Sequence, residues 1–329
     1  MRSFFEGDAI ELGERSRYGN RVPASHVPMH WFTDPEVTRR LPILYRAYAW
    51  YTRAVFHESK PVRGGSFLLS MLIGLTNHLG LTKQAVVKVG GLAVCLDLCD
   101  HHMLSVYGEM GNSSTELRIV ESSLSPGDTF LDVGANHGSL SLIAARAVGP
   151  SGVVAAFEPQ PRLASLIRQS FAANRFESCT VHEIACSDHE GEAEFHIPST
   201  DSGAGSIYEG LVPQDATRRI TVRTRRLDDA VDWRRLPGRV FLKLDIEGSE
   251  FAFLGGATEM IANRQPIILL EINPTTARAS GHSVEELLER LSRLGYSRFS
   301  EVDRYPATVP WQEVDCTRQR NLVALPNHH

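Results

Sequence analysis

The sequence contains few cysteines and no long apolar run. Its five cysteines are scattered and odd in number, which suits a reducing compartment better than a disulfide framework. Asn77 and His78 interrupt the most apolar stretch, residues 64–81, whereas a membrane span needs roughly 20 predominantly apolar residues. The N-terminal segment has acidic residues from Glu6 onward and lacks an apolar region followed by a cleavage site, so it is unlike a secretory signal. We therefore expect a cytoplasmic protein without a transmembrane span.

A large excess of one charge is also missing. The chain has 34 Lys+Arg against 39 Asp+Glu, so the composition does not indicate a nucleic-acid or anionic-membrane surface. With 42% hydrophobic residues and 26 glycines spread along the chain, the composition excludes collagen, a disordered tail and a disulfide miniprotein. The 329 residues are enough for two domains, or for one large α/β domain with an appendage.

Lysine is rare as well. Of the 34 basic residues 30 are arginine, and Lys243 is the only lysine beyond residue 88. A lysine kept against this bias indicates a need for a compact ammonium rather than a planar guanidinium. Lys243 lies in the stretch KLDIEGSE, where strand alternation predicts Lys243, Asp245 and Glu247 on one side. The alternative is a structural ion pair between Lys243 and a carboxylate, without chemistry.

The first 115 residues form a region of their own in the sequence. Aromatic residues crowd into residues 46–56, which predicts a helix with a thick apolar face. Residues 41–81 are therefore a candidate surface for a partner or a second copy of the chain. Two apolar runs flank Gly90 and Gly91, which predicts a β-hairpin. We expect residues 1–115 to form a mostly helical N-terminal extension with this hairpin.

Residues 116–329 alternate short apolar strands with helical segments, which predicts a parallel sheet with crossover helices. The best-defined helix, residues 283–294, starts with Ser283 and Glu286 in the spacing of a capping box. Residues 199–217 form a long polar loop that contains two glycines at its start. A loop of this kind is either a lid over bound substrate or a disordered segment.

A glycine-containing loop follows the first strand of this region. Its sequence is Asp132-Val133-Gly134-Ala135-Asn136-His137-Gly138. The glycines let the backbone turn and approach a ligand, and the helix amides beyond them can bind an anion. A nicotinamide dinucleotide loop would have its second glycine where this chain has Asn136. The loop therefore fits a ligand with a carboxylate and a ribose better than a pyrophosphate, and a plain tight turn is the alternative.

Glu158 ends the next strand, 20 residues after Gly138. An acidic side chain at this place can accept hydrogen bonds from both hydroxyls of a ribose. Because adjacent parallel strands end at the same edge of a sheet, we expect Glu158 and the glycine loop to line one nucleoside site.

Glu271 ends a later strand, so Asp245, Glu247 and Glu271 are expected at the same edge. Three carboxylates can act as a base, bind substrate hydroxyls or hold a divalent cation. A metal is the weaker interpretation because no His or Cys at ligand spacing joins them. The pair Cys95 and Cys99 also lacks the second pair that a zinc site needs. We predict no metal site.

From about Val87 to Ala324 the sequence resembles the FkbM-like family of S-adenosylmethionine-dependent methyltransferases. The resemblance rests on the order and spacing of KVGGLAVCLDLCDH, SPGDTFLDVGANHGSLSL, AAFEPQP, IACSDHEGEAEF, RRLDDAV, VFLKLDIEGSEFAFLGGA and IILLEI. It implies an α/β fold with a Rossmann-like seven-stranded sheet and helices on both faces, formed by residues 116–329. It also implies S-adenosylmethionine as cofactor and O-methylation of a hydroxyl on a sugar, a glycolipid or a polyketide-type product.

The resemblance and the motifs together indicate a set of candidate site residues. The cofactor-binding candidates are Asp132, Gly134, Ala135, Asn136, Gly138, Glu158, Pro159, Ala185 and Asp245. The catalytic candidates are Lys243, Asp245, Glu247 and His137. A sugar hydroxyl is a poor nucleophile until its proton is accepted, so one of these groups is expected to be a base. His137, Asp245 and Glu247 are the options, and His137 has the alternative of only capping or packing.

Two other functions are alternatives to methyl transfer. A nicotinamide-dependent oxidoreductase is disfavoured by Asn136 and by the lack of a Tyr-x-x-x-Lys pair after the midpoint of the sheet. A non-catalytic scaffold that uses residues 41–81 as its partner surface is disfavoured by the intact Asp245 and Glu247. The expected partner is a small-molecule or glycan acceptor, and no nucleic acid is expected.

Overall fold

The computed structural model describes residues 84–97, 100, 106, 110, 114–198, 205–208, 211 and 217–327. The chain divides into two units, Met1–Asn112 and Ser113–His329, which are described separately. The predicted helical extension and the candidate partner surface at 41–81 lie outside the described residues. Most of the predicted lid, residues 199–217, also lies outside them.

In the first unit, strands β1 (Gln84–Val89) and β2 (Leu92–Asp97) form the predicted antiparallel hairpin. Gly90 and Gly91 make the turn with φ angles of +57° and +82°. Both angles lie in the left-handed region, which a two-residue hairpin turn requires and glycine adopts without strain.

The second unit contains eleven described strands in two sheets. They are β3 (Thr129–Val133), β4 (Val153–Phe157), β5 (Cys179–His182), β6 (Ala185–Cys186), β7 (Gly191–Pro198), β8 (Thr217–Arg225), β9 (Val240–Leu244), β10 (Ile267–Ile272), β11 (Arg298–Glu301), β12 (Val309–Pro310) and β13 (Arg320–Leu325). Within the described residues, the larger sheet has the order β12-β11-β13-β10-β9-β3-β4-β5. The five strands from β10 to β5 in this order are parallel, and β13 is antiparallel to both β10 and β11.

This strand order confirms the expected Rossmann-like α/β fold. The sheet has seven strands of four or more residues among the described residues, and β12 adds a two-residue strand at one edge. The order reverses between β3 and β9, and ligands of such sheets bind beyond the carboxyl ends of the strands at the reversal. The fold therefore brings the loops after β3, β4 and β9 to one site.

Helices flank both faces of this sheet. They are α1 (Thr115–Ser123), α2 (Ser139–Val148), α3 (Pro161–Ala173), α4 (Leu227–Ala230), α5 (Glu250–Gly256), α6 (Thr258–Arg264), α7 (Pro274–Ala279) and α8 (Val284–Arg293). On one face, Leu242 and Leu244 pack with Phe253 of α5 and Leu288 of α8. On the other face, the Ser141 hydroxyl of α2 donates a hydrogen bond to Asp132 of β3. The predicted capping box at the start of α8 is present.

A second, three-stranded sheet of described residues has the order β6-β8-β7, with β7 and β8 antiparallel. Residues 205–208 join it, because Ser206 pairs with His196 of β7. This small sheet lies beside the carboxyl ends of the larger one and provides a wall of the site described below. None of the described helices is long and apolar enough to cross a membrane.

Candidate active site

A cleft of about 620 Å³, measured with its open mouth, lies at the carboxyl ends of β3, β4 and β9. The predicted site residues that line it are Gly134, Asn136, Glu158, Pro159, Ala185, Asp245 and Glu247. The other predicted residues, Asp132, Ala135, His137, Gly138 and Lys243, lie in or beneath the glycine loop and do not line the cleft. The structure therefore brings the two predicted parts of the site, nucleoside-binding and acidic, to one cavity.

Position 134 has room only for glycine, because the backbone of Asp245 lies against it. Its φ is +81°, and a Cβ on it would lie 1.9 Å from the carbonyl oxygen of Asp245. The sequence predicts that a side chain at this position would block the approach of a ligand, whereas in the structure the side chain would already collide with the Asp245 backbone. The crowding arises because the loop after β3 crosses directly over the end of β9. Gly138 also has a left-handed φ, +78°, at the start of α2.

Lys243 lies beneath the glycine loop and joins it to the acidic residues. Its Nζ donates a 2.6 Å hydrogen bond to the carbonyl oxygen of Gly134. The same Nζ lies 3.4 Å from Asp245 Oδ2 and 3.9 Å from Asp132 Oδ1. Burial lowers the pKa of Lys243, but the two carboxylates outweigh burial and raise it above the usual value. The predicted contact between Lys243 and Asp245 is therefore present, and the ammonium stays charged.

Asp132 is only 1% exposed and does not line the cleft. Its Oδ2 accepts a 2.5 Å hydrogen bond from the Ser141 hydroxyl of α2. Burial raises the pKa of Asp132, against the lowering effects of Lys243 and Ser141. In this structure Asp132 supports the loop from below.

Glu158 connects the end of β4 to the glycine loop. Its Oε2 accepts from the Asn136 amide at 2.8 Å, and its Oε1 accepts from the Gln160 amide at 2.9 Å. The side chain is 3% exposed, and this burial raises the pKa of Glu158 to about 7 in spite of the two amides. Each carboxylate oxygen has a second lone pair, so both can still accept from a ligand at the cleft wall.

His137 packs beside the loop. Its Nδ1 lies 2.7 Å from Asn136 Oδ1, and the residue is 1% exposed. Because the ring does not line the cleft, this placement favours the packing alternative over a role as base.

The acidic residues converge through a turn. Strand β9 ends at Leu244, and Glu247 has a φ of +50°, so the predicted strand alternation does not extend to Glu247. A tight turn over residues 245–248 replaces it, because Gly248, with φ +101°, allows the chain to reverse into α5. Asp245, Glu247 and Glu271 nevertheless each place a carboxylate oxygen within 4.8 Å of the others. Their expected meeting is present, and the absence of a metal from them stays a prediction.

Two of these carboxylates have strongly raised pKa values. Burial first, and then the charges of Asp245 and Glu271, raise the pKa of Glu247 to about 8. Burial and Asp245 raise the pKa of Glu271 to about 8, although Gln319 donates to it at 2.6 Å. A base whose pKa is close to neutral pH is well suited to accept a proton during catalysis.

Apart from Ala185 of β6, sequence patterns did not predict the site residues that come from the small sheet and its loop. Phe195, Gly205, Ile207 and Thr224 all line the cleft. Glu250 belongs to the KLDIEGSE stretch, but sequence patterns assign it no role; in the structure it accepts from the amides of Ile246 and Gly248. Gly205 was the one of these residues that the sequence marked, as a glycine in the long polar loop. The other three reach the cleft through pairing between segments that are distant in the sequence.

The site residues lie within a known family domain. The family model of the methyltransferase FkbM domain matches residues 132–298, just over half of the chain. The chain belongs to the FkbM methyltransferase family. The matched segment begins at Asp132 and contains Glu158 and the acidic turn, so the family resemblance of the sequence is confirmed.

The FkbM family chain is also similar to individual proteins. It is 28% identical over 149 residues to the 2-O-methyltransferase NoeI of Sinorhizobium fredii, covering 41% of this chain and 60% of NoeI. The match thus spans less than two thirds of that relative. Among solved structures, FkbM methyltransferase from Methylobacillus flagellatus has 19% identity, a TM-score of 0.39, and coverage of 68% of this chain and 53% of its own.

A SAM-dependent O-methyltransferase from Thermotoga maritima has 13% identity and a TM-score of 0.35, with coverage of 77% of this chain and 81% of its own. Because such scores are low, the fold assignment rests on the strand order and on the family match.

Proposed function

We propose that this FkbM family member transfers a methyl group from S-adenosylmethionine to a hydroxyl of a sugar, a glycolipid or a polyketide-type product. The observation that carries the proposal is a single cleft lined by Gly134, Glu158, Asp245 and Glu247. One end of this cleft has the chemistry to bind a nucleoside, and the other end has carboxylates that can accept a proton. Residues 116–329 would then form the cofactor-binding domain.

The cleft residues fit S-adenosylmethionine. Glu158 would accept from the ribose hydroxyls, and the loop from Gly134 to Gly138 would receive the amino-acid part. Apolar walls suited to the adenine come from Phe157, Ile184, Phe195 and Ile207. Thr224 also lines the cleft, and its buried hydroxyl has no hydrogen-bond partner among the described residues. A buried hydroxyl without a partner is unusual, and a bound ligand would supply one.

Two of the three acidic residues have a part in the proposed reaction. When bound, S-adenosylmethionine supplies an electrophilic methyl group on a positively charged sulfur. The Glu247 carboxylate would accept the proton of the acceptor hydroxyl while the hydroxyl oxygen takes the methyl group, whose bond to sulfur breaks to leave S-adenosylhomocysteine. Asp245, held by Lys243, orients the acceptor and keeps negative charge beside the cofactor. The apolar walls exclude water from the reacting groups.

Isothermal titration with S-adenosylmethionine, S-adenosylhomocysteine and NAD tests the cofactor. We expect the first two to bind and NAD not to bind. Replacing Glu158 by Gln should weaken S-adenosylhomocysteine binding by about 1–3 kcal/mol, because a ribose hydroxyl loses a charged acceptor. Glu192→Gln on the exposed face of β7 is the matched control and should bind like the wild type. Binding of NAD alone would favour the oxidoreductase.

Transfer of radiolabelled methyl from S-adenosylmethionine to a panel of methyl glycosides and glycolipids tests the reaction. We expect a product that is methylated on oxygen, identified by mass spectrometry after hydrolysis. Cofactor binding without transfer to any hydroxyl acceptor would favour the non-catalytic alternative.

A further inference from the structure

The peptide group between Glu247 and Gly248 is held at both of its ends. The Glu247 carbonyl oxygen accepts a 2.8 Å hydrogen bond from the Ser206 hydroxyl. The Gly248 amide donates to Glu250 Oε2 at 3.1 Å. Ser206 is 1% exposed and Glu250 is 7% exposed, so both side chains that make these contacts are largely shielded from solvent. Two buried side chains therefore determine the orientation of this one peptide plane.

The backbone of Glu247 needs such support. Its φ of +50° lies in the left-handed region, which a residue with a long side chain rarely occupies. Unfavourable backbone angles persist only where the surrounding structure imposes them. Glu250 acts from the first residue of α5, two positions after Gly248, whereas Ser206 comes from a segment 41 residues earlier in the chain. Ser206 thus provides a tertiary hydrogen bond to the turn at Glu247 itself.

Ser206 is itself held in one orientation. Its amide donates to the His196 carbonyl at 3.0 Å, and its carbonyl accepts from the His196 amide at 2.8 Å. Its Oγ accepts from the Tyr208 amide at 3.1 Å, which directs the hydroxyl proton toward Glu247. The neighbouring Gly205 packs closely, since a Cβ there would lie 2.6 Å from the Phe195 ring. The hydroxyl is therefore presented to the turn by the small sheet.

We propose that Ser206 is a positioning residue for methyl transfer. Its hydroxyl fixes the Glu247–Gly248 peptide and so sets the direction in which the Glu247 carboxylate leaves the backbone. Ser206 acts through the backbone of Glu247 and takes no proton itself. The inference rests on the proposed function, in which Glu247 is the base. It also assigns the small sheet a role in arranging the acidic residues, beyond its part in the cleft wall.

Ser206→Ala tests the proposal, because it removes the hydroxyl and leaves the backbone pairing with His196 in place. We expect the single-turnover rate of methyl transfer to fall by about 10- to 100-fold, since a small misplacement of a catalytic group has effects of this size. The affinity for S-adenosylhomocysteine should change by less than about threefold, because the residues proposed to bind it are intact. Ser206→Thr, which keeps a hydroxyl, should recover most of the rate.

Ser170→Ala is the matched control. Ser170 is also fully buried and donates its hydroxyl to a backbone carbonyl, that of Leu166, at 2.9 Å, but it lies in α3 and not at the cleft. This variant should keep the wild-type rate. A Ser206→Ala protein that transfers methyl groups at the wild-type rate would overturn the inference.

Hydrogen exchange gives a readout that does not need an acceptor. In Ser206→Ala, peptides covering residues 245–250 should exchange faster than in the wild type, while the rest of the sheet exchanges as before. In Ser170→Ala these peptides should be unchanged. If the wild type transfers no methyl group, the proposed function fails, and the exchange result still decides whether Ser206 holds the turn. Unchanged exchange in Ser206→Ala would contradict the inference.

Discussion

Lys243 Nζ donates a 2.6 Å hydrogen bond to the carbonyl oxygen of Gly134, joining the end of β9 to the loop that follows β3. The same ammonium contacts Asp245 at 3.4 Å. One buried cation therefore holds the glycine loop and the acidic turn at a fixed separation. The chain has 30 arginines and few lysines, and the space between these partners explains why a compact ammonium is found here.

Lys243→Arg should destabilise the protein. The planar guanidinium is larger than an ammonium and cannot take the place of Nζ without moving the loop, so the free energy of unfolding should fall by about 1–3 kcal/mol. Urea denaturation measures the change. Lys88→Arg, at an exposed position of β1, is the control and should leave stability unaltered. Equal stability of Lys243→Arg and the wild type would show that the site has room for a guanidinium.

Gly134→Ala should lower the stability of the fold and also weaken ligand binding. The new Cβ would lie 1.9 Å from the Asp245 carbonyl oxygen, at a φ of +81°. Gly149→Ala separates the steric clash from the backbone strain. Gly149 has a φ of +64°, but a Cβ added there would meet nothing within 4 Å beyond its own chain neighbours. We expect a loss of about 1–3 kcal/mol in Gly149→Ala, from backbone strain alone, because its φ of 64° and ψ of −170° are essentially restricted to glycine. Thermal unfolding should show a clearly larger loss in Gly134→Ala, and similar losses would contradict the clash.

The stability of the protein should decrease as the pH rises from about 5 to about 8. Burial raises the pKa of Glu247 to about 8 from 4.5. The folded chain therefore holds a proton that the unfolded chain has already released in this interval, and the free energy of unfolding falls with pH. Glu247→Gln cannot titrate, so its stability should depend less on pH in urea denaturation. Glu192→Gln is the control and should show the same dependence of stability on pH as the wild type. The same dependence in Glu247→Gln would show that the pKa of Glu247 is ordinary.

Asp245→Asn should separate binding from catalysis. The substitution keeps the shape of the side chain but removes the charge that contacts Lys243. We expect a modest loss of S-adenosylmethionine affinity by titration. Single-turnover methyl transfer should fall by about 100-fold, because the acceptor is no longer oriented by a carboxylate. A turnover close to that of the wild type would make this contact a structural ion pair only.

Methyl transfer should not depend on a divalent cation. Asp245, Glu247 and Glu271 lie close enough together to bind one, so the prediction needs a direct measurement. Treatment with EDTA should leave the single-turnover rate unchanged. A loss of rate that added Mg²⁺ restores would instead place a cation on these carboxylates.

Local patterns in the sequence predicted the elements that short-range physics controls. Paired glycines predicted the β1–β2 turn, and Ser283 with Glu286 predicted the start of α8. The alternation of strands and helices predicted a parallel sheet, and that sheet in turn brings Glu158 beside the glycine loop. Each of these features depends on neighbouring residues or on the general geometry of parallel strands.

Tertiary structure alone decided how the site is completed. Whether Gly134 is crowded depends on Asp245, far away in the sequence, and the support of Glu247 depends on Ser206 in a separate sheet. The burial of His137 and the position of Glu247 on a turn likewise follow from packing between elements. Sequence periodicity describes which side of a strand a residue occupies, but it carries no information about which distant backbone group lies against it.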